Sequence, residues 1–237
     1  MWQGRARLER VRVQQILATR LPPAPATVLD VGGGEGVHSV FLAHRGYDVH
    51  LFDPVVKHVD EARAHGLDAR IAEARALPFD DASADVVLLF GPLYHLRERG
   101  ERLAALAETR RVLRPGGLLL AIAISRYAFL LDGLASERLF TKPGRMQLVA
   151  DSIESGVVAN NLGAKLHRPD ELTEEIADAG FAVEELLGVE GPGWLLQDFD
   201  AAWRDDARRA QLLEVAGLVE AERDLVAAST HMLVIAR

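Results

Sequence analysis

The sequence predicts an α/β protein built on a doubly wound parallel sheet. Apolar runs alternate five times with helical patterns between residues 27 and 124, which is the sequence form of that architecture. A glycine cluster at residues 32–36 follows the first apolar run, as in folds that bring backbone N–H groups against a ligand. The run Val86–Phe90 is continuously apolar, as expected of a central strand buried on both faces.

Composition narrows the classes of function. The chain has 237 residues, enough for one large domain, and a net charge of −8. This acidic balance argues against nucleic acid or an anionic membrane as the main partner. The absence of cysteine excludes disulfides, thiolate nucleophiles and Cys-ligated metal centres. No apolar run approaches the ~20 residues that span a bilayer, and the N-terminus lacks a signal pattern, so we expect a cytoplasmic protein. We also predict no metal site.

The first elements are a surface helix and the glycine turn. Residues 3–20 form the predicted helix, and a proline-rich connector leads into the stretch Thr27–Gly36. The dinucleotide fingerprint G-x-G-x-x-G fails here because its third glycine would fall at Val37. Asp30 and Glu35 would repel a pyrophosphate, but they suit a ligand that carries positive charge, such as a sulfonium with a free α-amino group.

Two acidic residues follow the next strands. Asp53 ends a predicted second strand over residues 49–53 and is placed to accept hydrogen bonds from two ribose hydroxyls. It is equally placed to cap the helix that begins after Pro54, and the two roles are compatible. Glu73 and Ala74 follow a short third strand, where we expect the rim of an adenine site.

The fourth and fifth strands bring a candidate base to the sheet edge. Gly91 and Pro92 turn the chain after the fourth strand, so Tyr94 and His95 are expected near the ligand cleft. His95 is a candidate base for a substrate hydroxyl or amine, and a packing histidine is the alternative. A helix over residues 98–113, a sharp turn and a fifth strand over residues 118–124 complete the alternation.

Five motifs together resemble a known family. VLDVGGGEG, LFDP, AEARALPF, VVLLFGPLYHL and RVLRPGGLLL lie within residues 27–124. This combination resembles class I S-adenosylmethionine-dependent methyltransferases of the UbiE-like, type 11, small-molecule group. The resemblance implies a Rossmann-like sheet of seven strands, with the last strand antiparallel between the fifth and sixth.

The family's cofactor contacts fall on matching positions. Asp30 would order the turn and hydrogen-bond near the cofactor's amino group, directly or through water. Asp53 would hold the ribose, and Glu73 would approach the adenine where the family commonly has Asp. The implied residues for S-adenosylmethionine are Asp30, Gly32, Gly33, Gly34, Asp53, Pro54, Glu73, Ala74, Phe90 and Gly91.

The second half is expected to select the substrate. Residues 126–166 interrupt the α/β alternation and are predicted to form a helical cap. Residues 167–237 return to the sheet, with a sixth strand over 180–186 and a last strand over 229–236. The candidate substrate residues are Tyr94, His95, Arg126, Tyr127, His167 and Trp194, together with Asn160 and Asn161.

One methyltransferase domain over residues 1–237 is therefore predicted. It comprises an N-terminal helix and connector (1–26), a cofactor core (27–124), the cap (126–166) and the remaining sheet (167–237). We expect methyl transfer from S-adenosylmethionine to oxygen or nitrogen of a small molecule, leaving S-adenosylhomocysteine. The predicted catalytic residues are His95 and Tyr94, either of which would orient or deprotonate the acceptor. A nicotinamide oxidoreductase and a non-catalytic S-adenosylmethionine-binding protein are the alternatives. We expect neither nucleic acid nor a membrane as a partner. We expect the protein to be a monomer or a homodimer.

Overall fold

The computed structural model describes residues 4–158 and 163–237, in which eight strands form one mixed sheet. The strands are β1 Thr27–Val31, β2 Asp48–Asp53, β3 Asp68–Ile71, β4 Ala84–Leu89, β5 Leu113–Ser125, β6 Leu166–His167, β7 Val183–Gly188 and β8 His231–Ala236. The α-helices are α1 Ala6–Arg20, α2 Val37–Ala43, α3 Val56–Ala64, α4 Pro92–His95, α5 Arg99–Val112, α6 Ala128–Ala135, α7 Arg138–Thr141, α8 Arg145–Ser155, α9 Pro169–Asp178, α10 Phe199–Arg204 and α11 Asp206–Leu218. Short 3₁₀ turns occupy Gly191–Leu195 and Val226–Ala228.

The strand order confirms the predicted fold class. It runs β3-β2-β1-β4-β5-β8-β7, and β1 to β5 pair in parallel. Ala182 and Arg237, at the ends of β7 and β8, exchange two backbone hydrogen bonds, which is an antiparallel pattern. The last strand therefore lies antiparallel between β5 and β7, as the resemblance implied.

Two local predictions differ from the structure. The eighth strand is β6, which pairs with the end of β5, and its two residues are too few to show a strand period. A sharp turn was predicted over residues 114–117, yet β5 begins at Leu113 and continues through them. The pairing with β4 shifts between Ala84 and Val86, so a β-bulge absorbs the additional residues.

The chain divides into two compact units. The first, here called the glycine-turn unit, comprises Arg20–Ile122, Thr173–Glu184 and Val234–Arg237. The second, here called the Trp194 unit, comprises the described residues of Met1–Thr19, Ala123–Leu172 and Glu185–Leu233. The single domain inferred from the sequence stays a prediction. In the described part of the chain, no helix is long and apolar enough to cross a membrane.

The core of the glycine-turn unit forms because its central strands are apolar on both faces. Leu29 and Leu51 are fully buried, as is the whole of Val86–Leu89. Leu29 pairs with His50 on one side and with Val87 on the other, which fixes β1 at the centre of the strand order. The register brings the ends of β1, β2 and β4 to one edge of this unit.

A buried ion pair joins α5 to α9 within the glycine-turn unit. The Arg102 guanidinium donates to both carboxylate oxygens of Glu175 at 2.8 and 2.5 Å, and the side chains are 4% and 7% exposed. Its Nη1 also donates to the carbonyls of Leu96 and Arg97 at 3.0 and 2.6 Å. Arg102 thus holds the loop that follows Tyr94 and His95.

The Trp194 unit has its own aromatic core. Leu8 of α1 packs with Trp194, Phe199 and Trp203, all of them buried. The rings of Phe199 and Trp203 stack with centroids 5.5 Å apart. The insertion after β5 belongs to this unit and forms α6, α7, α8 and β6.

Candidate functional site

A pocket of about 500 Å³ opens where β1, β2 and β4 end, in the glycine-turn unit. Its lining residues are Gly32, Gly34, Asp53, Pro54, Val55, His58, Ala72, Glu73, Ala74, Arg75, Gly91, Pro92, Tyr94, His95 and Leu96. We call it the glycine-turn pocket. It brings together most of the predicted cofactor residues with Tyr94 and His95, whereas Asp30, Gly33 and Phe90 lie outside its lining.

The turn after β1 requires glycine for two reasons. Gly32 has φ +75°, and a Cβ there would lie 2.8 Å from Cδ of Pro92, so a side chain would push the two turns apart. Gly34 has φ +57°, and no atom lies within 4 Å of where its Cβ would be. The turn is therefore tight against Pro92 but open at Gly34, where its backbone lines the pocket.

Asp53 ties the turn to the end of β2. Its Oδ2 accepts the Gly34 N–H at 2.9 Å, and its Oδ1 accepts the Val55 N–H at 2.9 Å and lies 3.1 Å from Nδ1 of His58. A carboxylate offers about four acceptor positions, so one remains for a ligand hydroxyl. Asp53 therefore braces the chain before α3 but does not cap that helix, because Val55 is its N-cap residue and has no side-chain cap. The carboxylate keeps room for one ribose hydroxyl, where the sequence predicted two.

Asp30 braces the turn from below. It is buried, and its Oδ2 accepts the Ser39 hydroxyl at 2.7 Å. Burial raises the pKa of Asp30 to about 6, although the Ser39 hydrogen bond acts in the opposite direction. A Cβ at Gly33 would lie 2.7 Å from the same Oδ2, so the turn packs directly on this carboxylate. Since Asp30 does not line the pocket, its placement favours ordering the turn over direct contact with a cofactor.

Phe90 likewise supports the site from outside the lining. It is 9% exposed, and its ring meets His38 edge-on at a centroid distance of 5.7 Å. The next residue, Gly91, does line the pocket.

The rim of the pocket is acidic. Glu73 accepts a hydrogen bond from Arg75 at 2.6 Å, and Arg75 also donates to Glu101 at 2.7 Å. The charge of Arg75 is thereby matched by two carboxylates, and the buried Asp53 adds a further negative charge. Such a rim disfavours a pyrophosphate and favours a ligand that carries positive charge.

Tyr94 and His95 stand together on the short helix α4. Their ring centroids are 4.7 Å apart, and His95 is exposed at the pocket. Partial burial lowers the pKa of His95, while the charge of Asp53 opposes that shift. The imidazole is therefore neutral at pH 7 and has a lone pair to accept a proton.

Arg126 is structural, so its predicted place in a substrate site is wrong. It is 4% exposed, and its Nη2 donates to the two oxygens of Glu171 at 2.7 and 2.6 Å. It also donates to the carbonyls of Ile153 and Leu166 at 3.1 Å each. The guanidinium thereby fastens α8, β6 and the start of α9 within the Trp194 unit, and burial leaves it no path to a ligand.

The other predicted substrate residues of this unit have different surroundings. His167 is fully buried on β6, opposite Ser125 of β5, and lines neither pocket described here, so its place in a substrate site stays a prediction. Tyr127 precedes α6 and lines neither pocket described here. Asn160 and Asn161 lie outside the described residues.

Trp194 lines a second pocket, of about 340 Å³, in the Trp194 unit. The lining comprises Arg5, Ala6, Glu9, Ile124, Ala128, Phe129, Asp132, Glu190, Trp194, Thr230 and His231. The indole is oriented because its Nε1 donates to the Ala228 carbonyl at 2.8 Å. We call this the Trp194 pocket.

One end of the Trp194 pocket holds a polar cluster that sequence reasoning missed. His231 Nδ1 lies 2.6 Å from Oε1 of Glu190, and Oε2 of Glu190 accepts the Ser229 hydroxyl at 2.6 Å and the His231 N–H at 3.0 Å. The Glu9 carboxylate lies 3.9 Å from His231 Nδ1. These residues come from distant segments, so no spacing in the sequence indicates the cluster.

The cluster predicts how stability depends on pH. Burial opposes the charged imidazole, but Glu9 and Glu190 outweigh it and raise the pKa of His231 to about 9. A folded-state pKa above the unfolded value stabilises the protein fully below about pH 6.5, and that contribution is lost as the pH rises through 9. Denaturant titrations at about pH 6.5 and pH 9 measure the free energy of unfolding. Between these pH values, wild type should lose about 1–2 kcal/mol more of it than His231→Gln does. Equal losses in the two proteins would contradict the assignment.

Comparison with known protein families gives a match that lies within the glycine-turn unit. Residues 28–117 match the family described as Methyltransferase domain. A probable S-adenosylmethionine-dependent methyltransferase of Mycobacterium tuberculosis is 32% identical over 215 residues, which are 87% of this chain and 68% of the relative. The chain belongs to the S-adenosylmethionine-dependent methyltransferases. The resemblance to the class I group is thereby confirmed.

Two further comparisons give a relative matched over about half of its length and a solved structure that shares the fold. The ubiquinone/menaquinone biosynthesis C-methyltransferase UbiE of Acidiphilium cryptum is 32% identical over 145 residues, 57% of this chain and 55% of the relative. An S-adenosylmethionine-dependent methyltransferase of Mesorhizobium loti has the same fold, with a TM-score of 0.62, 18% identity and coverage of 97% and 99% of the two chains. The chain spans 59% and 40% of the lengths of the first mycobacterial relatives that it matches.

The glycine-turn pocket of this methyltransferase fits the family's cofactor. Asp53 has an acceptor position left for a ribose hydroxyl, and Gly34 leaves its side of the turn open. Ala72 and Ala74 offer small apolar surface next to Glu73 for a purine ring. The acidic rim suits a sulfonium and an α-ammonium group. The residues present therefore match the chemistry of S-adenosylmethionine.

Proposed function

We propose that this methyltransferase transfers a methyl group from S-adenosylmethionine, held in the glycine-turn pocket, to oxygen or nitrogen of a small organic molecule. The observation that carries the proposal is the convergence of Gly32, Gly34, Asp53, Glu73 and Gly91 on one pocket of about 500 Å³ in a chain of this family. We also propose that the protein is cytoplasmic and acts as a monomer or homodimer.

Three groups of residues divide the work. Asp53 accepts a ribose hydroxyl through the free position on its carboxylate, and Glu73 approaches the adenine. Gly32 and Gly34 lie beneath the methionine portion, where a side chain would close the space. Tyr94 and His95 face the reacting end, with Tyr94 orienting the acceptor.

In methyl transfer, the main task of the protein is to align the acceptor atom with the methyl carbon. When bound, S-adenosylmethionine supplies an electrophilic methyl carbon on a sulfonium sulfur and leaves as a neutral thioether. The protein holds the acceptor in line with that carbon, and orientation of this kind contributes roughly 7–11 kcal/mol to a reaction barrier. The neutral His95 accepts the proton that a hydroxyl or ammonium group loses as it becomes the nucleophile.

Calorimetry with S-adenosylhomocysteine and with NAD tests the cofactor. We expect saturable binding of S-adenosylhomocysteine and none of NAD, because the rim repels a pyrophosphate. Binding of NAD without S-adenosylhomocysteine would overturn the proposal in favour of an oxidoreductase. Transfer of labelled methyl groups to the small-molecule fraction of a cell extract separates an enzyme from a non-catalytic binding protein.

Replacing Asp53 tests the assignment of the pocket. We expect Asp53→Ala to weaken the binding of S-adenosylhomocysteine at least tenfold, which corresponds to about 1.4 kcal/mol. The loss combines a missing ribose contact with a released Gly34 N–H. The matched control is Asp48→Ala, an exposed aspartate at the other end of β2, which should bind as wild type does. If Asp53→Ala bound S-adenosylhomocysteine with unchanged affinity, Asp53 would have only a structural role.

A further inference from the structure

The Trp194 pocket has apolar walls and a charged end. Phe129, Trp194, Ile124 and Ala128 form the walls, and its volume of about 340 Å³ suits a small molecule. The charged end contains Arg5, Glu9, Glu190 and His231, with Asp132 also in the lining. Polar groups that lack a hydrogen-bond partner beside apolar walls indicate which ligand the pocket takes.

Three of these charges are already matched. Glu190 is held by His231 and Ser229 at 2.6 Å each. Asp132 lies 3.3 Å from the guanidinium of Arg145 and 3.5 Å from that of Arg138. A ligand gains little by approaching these groups, because each already has a counter-charge or donors.

Arg5 retains unused donors. Its Nε is buried and has no hydrogen-bond partner among the described residues. Within the described part of the chain, its Nη2 makes one hydrogen bond, a long one of 3.4 Å to the Leu196 carbonyl. A buried N–H without an acceptor is costly, and a guanidinium binds a carboxylate best through two adjacent N–H groups. Arg5 therefore marks a place for an anionic oxygen.

Glu9 lies one helical turn further on and has the opposite requirement. Its carboxylate is 17% exposed and lies 3.9 Å from His231 Nδ1, which is close enough for an ion pair but too long for a hydrogen bond. His231 cannot serve it better, since its Nδ1 is taken by Glu190. Burial raises the pKa of Glu9, as expected of a carboxyl that lacks donors. Glu9 therefore marks a place for a cationic N–H donor.

From these two groups and the apolar walls, we infer that the Trp194 pocket binds a free α-amino acid with an apolar or aromatic side chain. Arg5 takes the carboxylate, Glu9 takes the ammonium group, and the side chain lies against Phe129 and Trp194. Arg5 directly precedes α1 and Glu9 lies in its first turn, so both charges come from one end of this helix and line the same pocket. A protonated nitrogen near Trp194 gains further from the indole face.

The inference concerns binding by residues of the Trp194 unit alone. It goes beyond the methyl transfer proposed above and does not depend on it. Loss of S-adenosylhomocysteine binding would leave it untouched, and the two proposals therefore fail separately.

Four fluorinated probes of one size test the inference. They are 4-fluoro-L-phenylalanine, 4-fluorophenethylamine, 3-(4-fluorophenyl)propionate and 3-(4-fluorophenyl)propan-1-ol, and ¹⁹F relaxation of each probe measures its affinity for the full chain. We expect the amino acid to bind at least fivefold more tightly than any of the other three. Equal binding of the neutral alcohol, or the absence of binding by the amino acid, would overturn the inference.

Two variants assign the charges to residues. Arg5→Gln should lower the affinity of the amino acid to that of the amine, and Glu9→Gln should lower it to that of the propionate. The control is Asp132→Asn, a lining carboxylate already paired with arginines, which should stay within twofold of wild type. Thermal melts establish that each variant is folded. If Arg5→Gln and Glu9→Gln weaken all four probes equally, the contacts are not those inferred; the ranking of probes on wild type holds as a test even where a variant does not fold.

Discussion

Arg102→Ala is expected to lower the free energy of unfolding by about 3–5 kcal/mol. The substitution leaves Glu175 as a buried carboxylate without its bidentate partner, and both side chains are under 10% exposed. It also removes the donors to the carbonyls of Leu96 and Arg97. Denaturant titration followed by circular dichroism measures the loss.

A second arginine of the same helix provides the control for Arg102→Ala. Arg99 is 50% exposed; it pairs with Asp178, also at the surface, and its Nε makes a weaker contact of 4.0 Å with Oε1 of Glu175. Exposed pairs contribute about 0–1 kcal/mol, so Arg99→Ala should unfold nearly as wild type does. A loss below about 1 kcal/mol in Arg102→Ala would mean that water or a neighbouring cation replaces the buried pair. Glu175→Gln removes only the charge, so its loss of unfolding free energy should lie between the losses of Arg102→Ala and Arg99→Ala.

His95→Ala is expected to reduce methyl transfer at least 100-fold while the affinity for S-adenosylhomocysteine stays within twofold. The imidazole lies at the exposed end of α4, beside Tyr94, and takes no part in the contacts that brace the glycine turn. Label transfer to the small-molecule fraction of a cell extract gives the rate, and calorimetry gives the affinity.

The pH profile adds a second measure of the same role. Because burial holds the pKa of His95 below its usual 6.5, the acid limb of the rate profile should lie below pH 6.5 in wild type and be absent from His95→Ala. His65→Ala, an exposed histidine after α3 that is not part of the pocket, serves as the control. Wild-type rates in His95→Ala would show that the histidine only packs within its loop.

The convergence of the predicted cofactor residues on one pocket could be predicted because each lies at the end of a strand or just after it. Parallel strands end at one edge of a sheet, so Gly32, Asp53, Glu73 and Gly91 converge once the alternation of strands and helices is recognised. His58 was missed, although its signal was present: it lies five residues after Asp53, and α3 returns it to the carboxylate.

The substrate residues were harder to predict because side-chain chemistry does not indicate burial. Arg126 and His167 have the polar groups expected of a binding site, yet Glu171 and the pairing of β6 with β5 enclose them. Trp194 does line a pocket, but of the Trp194 unit, beside charged residues that its sequence neighbours do not suggest.

Sequence alone determined the fold class, the family and the cofactor turn, because local period and glycine spacing are properties of contiguous residues. The antiparallel last strand followed from the resemblance. Tertiary structure alone decided which polar residues are free for a ligand. Arg5 and Glu9 lie near the start of the sequence, and Glu190 and His231 lie in its last fifty residues. Only their packing shows that Glu190 and His231 are hydrogen-bonded to each other, whereas the Arg5 Nε has no hydrogen-bond partner among the described residues. Such pairing depends on distances of a few ångströms, which no linear pattern records.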